Sequence, residues 1–302
     1  MAIARDFFIA LSKNQLLNAS AKKWGFKLGA GKVVAGIDTD GMIQSVKNLN
    51  SHGISATVDH LGEFVRYEHE AIEAKENVLI TLQAIKQSGV EAHLSIKLTQ
   101  LGLDVDQEFC LKNMQDIMET AKEYGIFVNI DMEDYSHLQM TFDILKQLQE
   151  EYDNIGTVIQ AYLFRSENDI ENLKHMRLRL VKGAYKENEL VSLQKKEEID
   201  ANYLKLIQKR LLHPGFTSIA THDHNIINAV KQFVIENGIP TDKFEFQMLY
   251  GFRTDMQLEL VKEGYSFCTY VPFGHDWYGY FMRRLAERPQ NLNLVLKSLV
   301  AK

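Results

Sequence analysis

Polar residues close eight short apolar runs in this chain: Asp59, Lys97, Asp131, Gln160, Arg179 with Lys182, His222 with Asp223, Gln247 and Tyr270. A strand end that served stability alone would not need so many charged and hydrogen-bonding side chains. Lys97, Arg179 and Lys182 set three cations against Asp59 and Asp131, an arrangement suited to an anionic ligand such as a carboxylate, a phosphate or an anionic reduced cofactor. A second group lies near the C-terminus. Tyr280, Arg283, Arg284 and Glu287 follow at i, i+3, i+4 and i+7, one face of a helix. Two guanidiniums and a phenol there can clamp a carboxylate, and the neighbouring Trp277, Tyr278 and Phe281 favour docking over free exposure.

Other chemistries compete for the same residues. His222-Asp223-His224 is an H-x-H at a strand end, a zinc-hydrolase pattern if Asp59 or Asp131 completed the set, although His224 begins the next helix. Lys97 or Lys182 could form a Schiff base. Asp38-x-Asp40-Gly41 opens like a calcium loop but lacks the later bidentate Glu, so it reads as a turn. Gly29-Ala30-Gly31 follows a Lys-rich helix and lacks the third glycine of a dinucleotide fingerprint.

The elements that position these groups follow from periodicity. The runs are Ile54–Asp59, His93–Leu98, Phe127–Met132, Thr157–Leu163, Arg177–Ala184, Ser218–His222, Phe244–Leu249 and Ser266–Pro272. Between them lie segments of helical period such as Phe64–Ser88, Glu108–Tyr124, His137–Glu151, Glu167–Lys174, Glu187–Leu212 and Ile226–Asn237, with Gly125, Gly238 and Gly264 at C-cap positions. Strict alternation predicts a parallel α/β sheet, and eight units in about 250 residues predict a (β/α)8 TIM-like barrel. Residues 1–50 read as an N-terminal helical arm and 51–302 as the catalytic barrel, one domain overall.

Composition narrows the class. The chain has 302 residues, 45% hydrophobic and 25% charged, with net charge -6. The acidic balance argues against a nucleic-acid partner. The two cysteines, Cys110 and Cys268, stand apart without zinc spacing and fit a reducing compartment. No apolar run has the length of a membrane span. The expected location is cytoplasmic, with peripheral contact at the inner face of the membrane through the stretch around Phe7, Phe8 and Leu11.

Ordered along the chain are Val34-Ala35-Gly36, Leu61-Gly62-Glu63, Ser95-Ile96-Lys97-Leu98, Asn129-Ile130-Asp131, Gln160-Ala161-Tyr162, Arg179-Leu180-Val181-Lys182-Gly183-Ala184-Tyr185, Ala220-Thr221-His222, Phe244-Glu245-Phe246-Gln247-Met248-Leu249, Tyr270-Val271-Pro272-Phe273-Gly274 and Arg283-Arg284-Leu285-x-Glu287. Together they resemble the proline dehydrogenase family, in its monofunctional bacterial form. The resemblance runs from about residue 30 to the end and touches every expected strand. It implies non-covalent FAD at the carboxyl rim, oxidation of L-proline to Δ1-pyrroline-5-carboxylate by hydride transfer to flavin N5, and a membrane quinone as electron acceptor. It carries over Arg283, Arg284 and Lys97 as ligands of the proline carboxylate. Tyr270, Tyr280 and Leu249 would pack around the ring, with Tyr270 bearing on selectivity and Asp131 supporting the site. Gln160, Arg179, Lys182, Gly183, Ala184, Thr221, His222 and Gln247 would contact the flavin, Glu287 is placed with this group, and Glu63 would gate the helix arginines. No metal is implied. The pattern departs at Asp223, where many relatives have Asn, and at Met132, where the usual residue is smaller. The rivals are a metal hydrolase on His222 and His224 and a barrel that senses a ligand without turnover.

Overall fold

The computed structural model of the chain describes residues 30–62 and 64–287, with side chains described as far as Met282. Most of the N-terminal arm, including Phe7, Phe8, Leu11 and Gly29, lies outside the described residues, as does Glu63. So do the side chains of Arg283, Arg284 and Glu287.

The chain forms α1 (Thr39–Asn50), β1 (Ser55–His60), α2 (Glu68–Ser88), β2 (Ala92–Ile96), α3 (Gln107–Tyr124), β3 (Val128–Ile130), α4 (Tyr135–Leu148), β4 (Ile155–Gln160), α5 (Ser166–Asn172), β5 (Arg177–Val181), α6 (Lys196–Leu211), β6 (Thr217–Ala220), α7 (His224–Glu236), β7 (Phe244–Leu249), α8 (Thr254–Lys262), β8 (Phe267–Phe273) and α9 (Trp277–Glu287). The eight strands close in sequence order, every neighbouring pair is parallel, and β8 returns to β1 with Thr57 opposite Tyr270. This is the expected α/β barrel.

The physical cause is a division of labour along each strand. Successive residues face opposite sides of the sheet. One set (Ala56, Val58, Leu94, Ile96, Val128, Ile130, Leu178, Leu180, Ile219, Phe246, Val271) joins the main core, packed against helix residues such as Val46, Val78, Leu82, Met114, Ile117, Ile144, Leu206 and Val230. Each Val, Leu, Ile, Met or Phe among them contributes about 1.5–3 kcal/mol on burial. The alternate set lines the barrel interior and is largely polar.

Several boundaries differ from the sequence reading. The apolar runs overshoot the strands: β2 ends at Ile96, β3 at Ile130, β5 at Val181 and β6 at Ala220. Lys97, Asp131, Lys182 and His222 therefore sit one or two residues beyond the ladder. The segment Glu187–Leu212 becomes helical only from Lys196, because residues 188–193 are tied to the β4 end by Phe164 N–H donating to Val191 O and Leu193 N–H to Tyr162 O. Asp38 is a helix N-cap and not a free turn, its carboxylate accepting from Gly41 N–H at 2.9 Å. Gly125 is the left-handed C-cap of α3, with Gly238 and Gly264 also left-handed just past α7 and α8.

Candidate active site

The strand pleat aligns polar residues two apart on the inner face, and they converge at the carboxyl rim. Tyr270 Oη lies 2.6 Å from Asp59 Oδ2 and 2.8 Å from Asp131 Oδ2. Lys97 Nζ donates to Asp59 Oδ2 at 2.9 Å and stands 3.6 Å from Asp131 Oδ2. Behind them, Arg179 Nη1 donates to Asp131 Oδ1 at 2.6 Å and to Ser95 Oγ at 3.0 Å, while Nη2 reaches Thr57 Oγ1 at 3.2 Å. Ser95 and Asn129 also donate to Asp131 Oδ1, at 2.7 and 3.2 Å. The Arg179 guanidinium stands 5.3 Å from the centre of the Tyr270 ring. Five strands, β1, β2, β3, β5 and β8, contribute to one buried, charge-balanced cluster.

Its electrostatics are asymmetric. Burial raises the Asp131 carboxyl, but Arg179, then Lys97 and the Ser95 and Tyr270 bonds outweigh it and hold the group below the ordinary carboxylate range. Burial, followed by the Asp131 and Asp59 charges, pushes the Tyr270 phenol well above its ordinary value, so it stays protonated.

Around this centre lie the other residues singled out in the sequence. Gln160 and Gln247 are buried, each with its amide nitrogen donating to Glu133 O and Glu245 Oε1, both at 2.6 Å, and each with its carbonyl oxygen unpartnered. Arg179 Nε is likewise buried without a partner. Thr221 is buried with its hydroxyl accepting from Asp223 N–H, and His222 Nε2 accepts from Leu249 N–H at 3.1 Å. Lys182 ion-pairs with Asp200 at 2.5 Å and Asp223 at 2.9 Å, so the unusual negative charge of Asp223 is offset inside the protein. The adjoining Ala184 is exposed. Gly183 has φ +113°, and a Cβ there would stand 2.2 Å from the Tyr162 ring. On α9, Tyr280 is buried with Trp277, Tyr278 and Phe281 against Val34 and Leu61, so that helix docks by its aromatic residues.

A family description, "Proline dehydrogenase", matches residues 42–296. The chain belongs to the proline dehydrogenase family. It is 49% identical over 302 residues to proline dehydrogenase 2 of Bacillus subtilis (strain 168), covering 99% of this chain and 100% of that one. Proline dehydrogenase of Deinococcus radiodurans is 39% identical, with 93% and 92% covered. Among solved structures, proline utilization A from Bdellovibrio bacteriovorus inactivated by N-propargylglycine superposes with a TM-score of 0.83 at 24% identity, over 99% of this chain and 38% of that one. That likeness bears on the fold alone. The chain is thus an oxidoreductase of proline catabolism that oxidises proline.

As a proline dehydrogenase barrel, the molecule holds several groups that the sequence reading did not assign to the site. Asp59 enters the sequence reading as a counter-charge to the rim cations and as a candidate to complete the zinc set, with no part in proline oxidation. Thr57, Ser95 and Asn129 share its parity or that of Lys97 and Asp131, and a period of two from those rim residues would have found them. Glu133 is buried and accepts from Thr99 N–H and Oγ–H at 3.1 and 2.6 Å, fixing the β2 loop. The zinc-hydrolase pattern does not assemble: His222 faces the Leu249 backbone, whereas the exposed His224 pairs with Asn228 at 3.0 Å. Among the described residues, His93, Glu245 and Cys268 stand close enough to hold an ion. That position is hostile to one. Arg177 already pairs with Glu245 at 2.8 Å, and burial pushes the Cys268 thiol up, against the thiolate that would ligate.

Proposed function

We propose that the barrel mouth binds FAD and L-proline together and that the enzyme passes a hydride from the proline ring to flavin N5, giving Δ1-pyrroline-5-carboxylate, with a membrane quinone taking the electrons onward. The observation that carries this reading is the set of unpartnered, buried atoms at the mouth. Gln160 Oε1 and Gln247 Oε1 are acceptors and Arg179 Nε is a donor. Leaving such groups unpaired costs about 1–3 kcal/mol each, and the pyrimidine edge of a flavin offers both a ring N–H donor and carbonyl acceptors. The residues therefore fit the cofactor. When bound, the flavin supplies the hydride acceptor.

The chain's own groups do the rest. Arg179 places a fixed cation where negative charge gathers on reduction. Lys182, Gly183, Ala184, Thr221, His222 and Glu287 complete the cofactor wall. Lys97, Arg283 and Arg284 bind the proline carboxylate, and Tyr270, Tyr280 and Leu249 exclude water around the ring. Asp131 keeps Arg179 and Tyr270 in register. Among the described residues no helix is long and apolar enough to cross a membrane; contact with a quinone-bearing bilayer is peripheral.

An absorption spectrum tests the reading. Purified protein should show a flavin band that proline bleaches without oxygen. A colourless protein that takes up no added FAD would end it. Arg283→Met and Arg284→Met should raise the KM for proline far more than they weaken flavin binding.

A further inference from the structure

Oxidising a ring amine requires more than a hydride acceptor. At neutral pH proline carries an ammonium, and its nitrogen must shed a proton before its lone pair can assist hydride loss. No group named so far receives that proton. Tyr270 bears on the question because its hydroxyl has two carboxylate neighbours, Asp59 at 2.6 Å and Asp131 at 2.8 Å, and one proton to share. Whichever carboxylate is not served faces a bare oxygen at close range, so the trio has room for one more proton.

The two carboxylates are unequal. Asp131 Oδ1 accepts from Arg179, Ser95 and Asn129, and those donors favour its ionised form. Asp59 has Lys97 and Tyr270 on Oδ2 alone, and its Oδ1 is buried with no hydrogen-bond partner. Of the four carboxylate oxygens, Asp59 Oδ1 is the one that no donor serves. The surroundings do not compete for the proton. Lys97 and Arg179 are cations, Tyr270 is held protonated, and burial lowers the adjoining His60, whose ring packs on Phe273 near His275 and Asp276.

We propose that Asp59 is the terminal proton acceptor of the oxidation, reached through Tyr270. The nitrogen–hydrogen bond of the bound ammonium breaks and leaves its electron pair on nitrogen. Its proton passes to the Tyr270 oxygen while the phenol proton moves to Asp59. The products of this step are a neutral amine, an unchanged phenol and a carboxylic acid. Asp59 acts through Tyr270 and is a positioning and relay residue, with the proton returned to solvent after turnover. This rests on the proline-oxidising reading above.

The test is the pH profile of flavin bleaching by proline in Asp59→Asn. General-base assistance is worth about 100-fold or more, so the variant should load flavin normally yet bleach about 100-fold more slowly near pH 7. At alkaline pH, where free proline sheds its own proton, the two rates should converge. If the asparagine protein does not hold flavin, Tyr270→Phe, which cuts the relay and keeps the carboxylate, should show the same convergence. An infrared difference spectrum of the wild type should gain a protonated-carboxyl band as the flavin bleaches, and Asp59→Asn should lack it. A deficit equal at every pH, an undiminished rate near pH 7, or no such band in the wild type overturns the proposal. A wild type that proline does not bleach at all overturns the parent reading instead.

Discussion

At the floor of the barrel, Glu245 Oε1 accepts from Arg177, Ser218 and Gln247 at 2.8, 2.7 and 2.6 Å, while Arg177 lies between the Phe127 and Phe216 rings at 4.5 Å from each. One pleat further along the strands, at the mouth, Asp59, Gln160, Gln247 and Arg179 each keep a polar atom unpartnered. The two regions share strands, burial and a mixture of charges, and differ in how fully the hydrogen bonds are satisfied. A completed network rigidifies the barrel. An incomplete one costs stability and leaves donors and acceptors directed at molecules the chain does not supply.

Breaking the floor should produce the largest effect on folding. Glu245→Gln removes the only carboxylate paired with Arg177 among the described residues, and stability should fall by about 3 kcal/mol, the lower end for a buried pair because Arg177 is partly exposed. Urea unfolding would read this as a lower midpoint at unchanged slope, while the KM for proline stays put. A lost KM with intact stability would collapse the distinction between the two regions.

At the mouth the order reverses. Lys97→Met should lower kcat/KM for proline by about 100-fold, the equivalent of roughly 2.7 kcal/mol of charge-assisted binding. Stability should shift less than in the floor variant, since Asp59 keeps the hydrogen bond from Tyr270 once its cation is gone. Steady-state kinetics beside a melting curve decide it.

The smallest effect is expected at the outer edge of the mouth. Burial raises the Asp223 carboxyl, but Lys182 outweighs it and holds the group below its ordinary range. Asp223→Asn releases Lys182 from one of its two carboxylates, and FAD should bind roughly 2–5-fold tighter, as expected for a partly exposed pair. Titration of apoprotein with FAD measures this, and weaker binding would mean that Asp223 serves the cofactor.

Much of this was legible in the residues. Eight apolar runs alternating with helical segments give the barrel because parallel neighbours need crossovers, and the run ends mark the rim. The interior was harder to read. His93 precedes Ser95 and Lys97 by the strand period, as Arg177 precedes Arg179 and Glu245 precedes Gln247, so inward facing was implicit in their parity. Which residue bonds which was not, since Tyr270 and Asp59 are 211 positions apart and meet only because β8 closes on β1. The boundary at Lys196 escaped for a different reason. Residues 187–195 carry helix-compatible side chains, but their backbone is spent on the β4 loop.

Gly183 carries two demands at once, a left-handed backbone and an absent side chain where the Tyr162 ring rests. Trimming Tyr162 would answer only the second. A genetic screen for suppressors of Gly183→Ala should therefore come back without single compensating changes at Tyr162.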